Sequence, residues 1–401
     1  MINFHDLTIY ADVKRLVEDN VYAKFKNIMV KQQNNLFILK YNKCALNEKN
    51  VNTLGLFRSV VTDGSSLLAF NPPKSISFAS FKDKFTRTEC IAEEFIEGTM
   101  INCFYYKDKW MIATRWDIGA HSSFYQDLNV TFRDMFIDAM MACNITFEML
   151  DKKYSYSFVL QHPKNRIVVP FTKPNLFLIA KYEIIQQWRA QEIICSETIA
   201  DSKVRIPARY ENTDVESWDD FVHPYSSINT PYTILGVILK HPNGLRSKVR
   251  NPNYEKVKHL KGNSPKIQFQ YYNLYQQGRI KEFLFYYPEY KQDFWKFRTE
   301  LVQWTTALYM FYKNIYIKKI ADYKTIPYTF RPHVSALHKI YCFDLRPQKK
   351  YVDKSIVIQY VNNLPPQRLM YSINYPLRQK EKDDVKGTNR EETTLIDHEL
   401  K

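Results

Sequence analysis

Residues 89–119 read ECIAEEFIEGTMINCFYYKDKWMIATRWDIG, and the rest of the chain is organised around them. Two apolar and aromatic segments, 91–106 and 110–116, flank the polar turn Lys107-Asp108-Lys109, the pattern of a β-hairpin. Glu97-Gly98 interrupts the first segment. A glycine there allows a bulge or turn, and it holds a carboxylate beside flexible backbone. That pair suits a phosphate, a metal or a ribose; the alternative is a bulge whose acid faces water.

Working outward, 36–41 (LFILKY) and 56–61 (LFRSVV) are strand candidates, and Asp63-Gly64 marks a turn into a third at 67–70. The diproline Pro72-Pro73 places Lys74 on an extended segment. Apolar spacing predicts a helix over 127–141 and strands at 145–150, 157–160 and from Arg166. Residues 177–188 fit strand or helix equally. The polar stretch 196–230 reads as an irregular surface excursion. A strand at 232–239 and the turn Pro242-Asn243-Gly244 lead into a strand at 246–250. From Tyr254 the period turns helical, with Pro288 between two helices. The expected domains are 1–252, a helical 253–378, and a charged tail 379–401 too poor in apolar side chains to fold.

The formal net charge of +15 over 401 residues favours a polyanionic partner, with nucleic acid first. The stretch from Lys240 to Lys266 holds eight Lys/Arg and one acid, Glu255. With Tyr254, Phe269, Tyr271 and Tyr272 nearby, Lys256, Lys258 and Lys261 are candidates to hold single-stranded RNA by charge and stacking. A solvated basic face over core aromatics is the alternative. Six scattered cysteines without a Cys-x-x-Cys pair read as buried thiols of a reducing compartment. The histidines show no zinc spacing, and no apolar run approaches a membrane span. A cytoplasmic location is expected, in the host if the source is viral.

Several elements in order resemble the covalent nucleotidyltransferases, the ligase and capping-enzyme superfamily, and within it RNA ligases of the phage RNA ligase 1 type. The family hallmark is Lys-x-Asp-Gly, whose lysine takes the nucleotide as a phosphoramide. Here it reads Phe95-Ile96-Glu97-Gly98, with Phe95 at the nucleophile position. The run Glu97-Gly98-Thr99-Met100-Ile101 also resembles ligase-like proteins of large DNA viruses. By resemblance, Arg58 and Lys74 contact nucleotide phosphates, and Lys74 is a candidate replacement nucleophile. Salt-bridging and solvated side chains are the respective alternatives. Thr114-Arg115 stands where the family carries Ser-Lys-Gly or Thr-Lys-Gly, so Arg115 keeps the charge, with Trp116 in place of the glycine.

Phe147-Glu148 and Pro163-Lys164-Asn165-Arg166-Ile167-Val168 resemble the Phe-Glu element and its supporting Pro-x-Asn-Arg-Ile-Val, with extra residues between the two parts. Glu148 is therefore the expected ribose or metal ligand. Leu235-Gly236 stands where Glu-Gly normally supplies a second metal-binding acid. Ser247-Lys248-Val249-Arg250 resembles Lys-x-Lys, whose cations meet the α-phosphate, and strand alternation puts Lys248 and Arg250 on one face. The resemblance implies an α+β fold of two antiparallel sheets with flanking helices and a nucleotide between the sheets, followed by a helical domain. It implies ATP and Mg2+ as cofactors, with Glu97, Gly98, Arg58, Lys74, Arg115, Glu148, Lys248 and Arg250 about the nucleotide. Two functions stay open: an RNA ligase-like enzyme with a relocated nucleophile or partial reaction, or a degenerate ligase that binds RNA as an accessory component.

Overall fold

The hairpin forms as expected. Thr99–Tyr106 and Lys109–Ala113 pair antiparallel, and Lys107 and Asp108 take φ of +46° and +59°, the backbone of a tight two-residue hairpin turn. The computed structural model describes residues 3–124, 129–193, 195, 198–210, 215, 217–262, 264 and 266–379. The expected disordered tail, apart from Gln379, lies outside them.

The chain divides into the units Met1–His259 and Leu260–Lys401. The first begins with β1 (Asn3–Asp6), α1 (Val13–Glu18), α2 (Asn20–Phe25), β2 (Ile28–Gln33) and β3 (Leu36–Tyr41). It continues through β4 (Val60–Thr62), β5 (Leu67–Ala69), α3 (Phe78–Lys82), β6 (Ile91–Glu94) and the hairpin strands β7 and β8. Then follow α4 (Phe132–Ala142), β9 (Tyr154–Gln161), β10 (Asn175–Gln186), β11 (Arg189–Ile193), α5 (Trp218–Ser226), β12 (Gly236–Lys240) and β13 (Arg246–Arg250). Their ladders are antiparallel and form three sheets where two were expected: β1-β11-β10-β9-β7-β8, β13-β12-β6 and β2-β3-β4-β5.

The third sheet packs on the first through Ile38, Val61 and Ala69 against Phe104 and Ala113. Helix α4 covers the first sheet with Met135, Phe136, Ala139 and Met140. It starts where Thr131 and Asp134 exchange side-chain and backbone bonds, a capping box. Helices α3 and α5 cover the three-stranded sheet with Phe81, Phe221 and Val222 against Ala92, Val237 and Leu239.

Several expectations are corrected. Residues 145–150 form a 3-10 turn, Phe147–Met149, since the chain is turning back from α4 to the first sheet. The run from Arg166 is loop, held by a side chain described below. Within the polar 196–230 stretch, Ser217 caps α5 and Phe221 and Val222 bury one of its faces. The 3-10 turn Leu54–Leu56 replaces the start of the 56–61 strand. Residues 177–188 are strand, as β10. The cysteines are all unpaired, but only Cys103 and Cys143 are buried and Cys44 is exposed.

Helix α6 (Pro252–Lys261) spans the division between the units. The second unit holds α7 (Ile267–Gln276), α8 (Ile280–Tyr286), α9 (Lys291–Tyr312), α10 (Arg331–Ile340), α11 (Lys354–Asn362) and a helix over 366–379. Pro288 opens a 3-10 turn between α8 and α9, as its missing N–H requires. Tyr271, Phe283, Phe294, Leu301 and Trp304 fill the interior of this unit. Among the described residues no helix is long and apolar enough to cross a membrane.

Candidate functional site: a cationic sheet face

Phe95-Ile96-Glu97-Gly98 is neither a bulge nor a turn within one strand. It carries the chain from β6, paired with β12, to β7, paired with β9. Gly98 has φ of +148°, and a Cβ there would run into the Leu160 carbonyl and Val159, so the crossing admits no other residue without strain. Ile96 packs on Val159 and Phe177.

The Glu97 carboxylate points inward and binds the 167–169 loop. It accepts the Val168 N–H at 2.9 Å and the Val169 N–H at 3.1 Å, with further bonds from Tyr254 and the Ile167 backbone. Burial pushes its pKa above the ordinary carboxylate value, against the lowering these bonds exert. Asn165, fully buried, donates to Thr99 Oγ1 at 2.8 Å. The Pro-x-Asn-Arg-Ile-Val element thus supports the crossing, with Glu97 as its anchor.

Register decides what faces the crossing. Lys248 pairs with Ile238 and Ile238 with Glu93; Arg246 pairs with Lys240 and Lys240 with Ile91; Arg250 pairs with Gly236. Directly paired residues share a face, so Arg246, Lys248, Arg250, Lys240 and Glu93 stand on one side of the small sheet. The opposite side is the apolar one under α3 and α5. Lys248 Nζ lies 4.9 Å from the Phe95 ring centroid. Lys240 is neutralised by Glu93 at 2.6 Å.

Arg58, Arg115 and Arg246 have no carboxylate partner among the described residues. Arg58 donates to the Pro72 carbonyl at 3.2 Å, and burial, aided by the charge of Arg246, lowers its pKa to about 10. Arg115 lies over the Tyr41 ring at 5.6 Å, with Nε and Nη2 buried and unbonded. Arg246 is 6% exposed and its Nε is also buried without a partner. Sequence reading passed over Arg246, although the alternation Arg246-Ser247-Lys248-Val249-Arg250 carried its signal.

Lys74 donates to the Ser75 carbonyl at 3.2 Å and is lowered by burial and then by Arg58. Lys248 is lowered well below the ordinary lysine value, first by burial and then by Arg246, Arg58, Arg250 and Lys74. A cleft of about 490 Å3 opens beside Lys74, Lys248 and Arg250, with Ser75, Ser77 and Glu48 also on its wall. Glu48 accepts from Ser80 Oγ at 2.6 Å, and Arg250 approaches Glu255 at 3.6 Å. Cations held this close repel one another, and a bound anion would relieve all of them at once.

Glu148 is exposed on its 3-10 turn, its pKa lowered by the Thr146 hydroxyl. The strand that runs directly into His162-Pro163 ends in Phe158-Val159-Leu160-Gln161. In that strand Val159 lies buried against Ile96. Leu235 lines a second hollow with Phe95, Ile96 and Phe177. No three His, Cys, Asp or Glu side chains gather to hold a metal among the described residues. Glu148 is solvated and Leu235 apolar, so neither of these two positions brings a carboxylate into the cleft, on whose wall Glu48 is the acid present. On α6, Lys256 is exposed, Lys258 is 3.7 Å from Glu255, and Lys261 lies over Tyr287; at 100° per residue the three do not share a face.

No family model matches the chain. Part of it is 24% identical over 193 residues to the immediate-early protein ICP-46 homolog of Invertebrate iridescent virus 3, covering 46% of this chain and 40% of that protein. It is 30% identical over 94 residues to an RNA ligase of Rhodothermus phage RM378, covering 21% of each. The chain thus spans well under half the length of either relative. Among solved structures, a putative ATP-dependent DNA ligase from Aquifex aeolicus aligns with 91% of this chain and 78% of its own, at 11% identity and a TM-score of 0.40. An RNA ligase of Naegleria gruberi solved with ATP and Mn aligns with 49% of this chain and 64% of its own, at 9% identity and a TM-score of 0.33. These likenesses single out no subfamily.

Proposed function

We propose that the chain is a ligase-like, nucleotidyltransferase-fold protein whose cationic sheet face binds the phosphates of ATP and of RNA ends, in a cytoplasmic setting. The observation that carries this reading is the set Arg58, Arg115, Arg246 and Lys248. These are buried or half-buried cations without a carboxylate partner among the described residues, and two of the guanidiniums keep unbonded N–H groups. Unpaired buried charge is costly, and a polyphosphate supplies both the charge and the acceptors. Adenylation at the position of Phe95 is chemically impossible, because a phenyl ring has no lone pair to give.

The test is thermal shift and calorimetry with ATP, GTP, 5′-phosphorylated RNA and 5′-adenylated RNA. Saturable stabilisation by at least one of them, lost in Arg58→Ala, is expected. Indifference to all four would leave the face without a ligand and end this reading. A second reading, an accessory RNA-binding protein without catalysis, draws on the apolar side chains of Phe95, Val159 and Leu235 around the crossing. It expects RNA binding with no effect of free nucleotide.

A further inference from the structure

We infer that Lys248 is the nucleotidyl acceptor of this chain, its ε-amine forming a phosphoramidate with a nucleoside triphosphate held in the adjoining cleft. The inference rests on the phosphate-binding reading above and gives that face a reaction.

Position is the first support. Lys248 reaches over the Phe95 ring from the neighbouring sheet edge, with 4.9 Å between Nζ and the ring centroid, so an amine stands beside the crossing although residue 95 brings none. It lines the cleft with Lys74 and Arg250, whose charges suit the phosphates of an incoming nucleotide. Partnership is the second. Lys240 on the same face is bound to Glu93 at 2.6 Å, and Lys74 is tethered to the Ser75 carbonyl, with Glu48 on the wall beside it. Lys248 has neither a carboxylate nor a hydrogen-bond partner among the described residues. Only this lysine of the three is unencumbered.

Protonation agrees with position. An ammonium is no nucleophile, so the reaction needs the neutral amine. Burial and the charges of Arg246, Arg58, Arg250 and Lys74 around it favour loss of the proton. Glu93, the acid nearest along the same ladder, is occupied by Lys240.

The step balances as a substitution at phosphorus. The amine lone pair forms an N–P bond to the α-phosphorus, and the bond from that phosphorus to the bridging oxygen breaks. Pyrophosphate leaves with the electron pair, and the proton of the amine passes to water. Lys74 and Arg250, on the wall of the same cleft, offer positive charge to the phosphate oxygens. The stored monophosphate could then pass to a 5′-phosphorylated end.

The test incubates the full chain with MgATP or MgGTP, followed by intact mass, denaturing gel and peptide mapping, alongside thermal shift on the same samples. An adduct of one nucleoside monophosphate is expected. It should be labile in acid and stable in base, reversed by added pyrophosphate, map to Lys248, and be absent from Lys248→Arg. Mapping on the unaltered protein keeps the result independent of how the variant folds. An adduct on Lys74 or any other residue, or nucleotide binding with no adduct, overturns this inference and leaves the binding reading intact. Indifference to nucleotide and adenylated RNA alike overturns both.

Discussion

Glu97 separates a fold-holding carboxylate from a reacting one, and its two substitutions give opposite answers for the two roles. Replacing it with alanine leaves the Val168 and Val169 N–H groups, now bonded at 2.9 and 3.1 Å, without an acceptor. A stranded amide costs about 1–3 kcal/mol when buried. Val168 is fully buried and Val169 half-buried, so Glu97→Ala should cost about 3 kcal/mol. In a unit of this size that lowers the melting temperature by about 6–12 °C. Glu97→Gln keeps an oxygen where Oε1 accepts both amides and should cost about 1 kcal/mol or less.

The pH dependence has a definite sign. Burial raises the Glu97 pKa in the folded protein. Its contribution to stability is therefore fully present below the unfolded carboxylate value and is lost as pH rises through the higher folded value. Glu97→Gln, always neutral, should flatten that decline. Calorimetric melting of both variants across the weakly acidic range is the assay. If Gln is as damaging as Ala, the negative charge itself is needed and the anchoring role is refuted. If Ala leaves the melting temperature untouched but abolishes nucleotide binding, the carboxylate serves the ligand.

Arg246→Met replaces an unpaired buried guanidinium with an apolar chain of similar length. It should raise the melting temperature of the ligand-free protein, by about 1 kcal/mol of stability, while shrinking the shift produced by ATP; a loss of stability would mean that Arg246 is paired after all. Reversing Lys248, Lys256, Lys258 and Lys261 to glutamate should weaken binding to single-stranded RNA and reduce the slope of log affinity against log salt by about 0.7 for each phosphate left without its cation. An unchanged slope would move the RNA path elsewhere.

What was legible in the sequence was local. The hairpin, strand 36–41 and the helix over α4 are each written in a short run whose period or turn residues have one physical solution. Glu97-Gly98 misled because a bulge and a change of sheet make the same demand on a glycine. They differ only in the pairing partner, and the partner of β6 is β12, more than a hundred residues away. Glu148 misled in the same manner. An acid beside an aromatic is a two-residue signal, and it does not tell that the chain turns there and leaves Glu148 exposed. The loop 165–168 was expected to support Glu148, and the amides it offers to Glu97 instead were not legible.

The same ladders explain why cations persist where acids and a lysine do not. Phe95, Val159 and Leu235 put apolar groups about the crossing, and Lys248 and Arg58 have no carboxylate partner among the described residues. Without a ligand this weakens the fold, because Arg58 and Lys248 are lowered in pKa by burial and by neighbouring cations, and neither is neutralised. With a polyphosphate bound, Arg58, Arg115 and Arg246 gain the negative counter-charge and the acceptors they lack in the empty protein. The free energy withheld from the empty protein is then returned on binding. A face built this way favours an anion more strongly than one already balanced by acids, which is what the proposed phosphate binding requires.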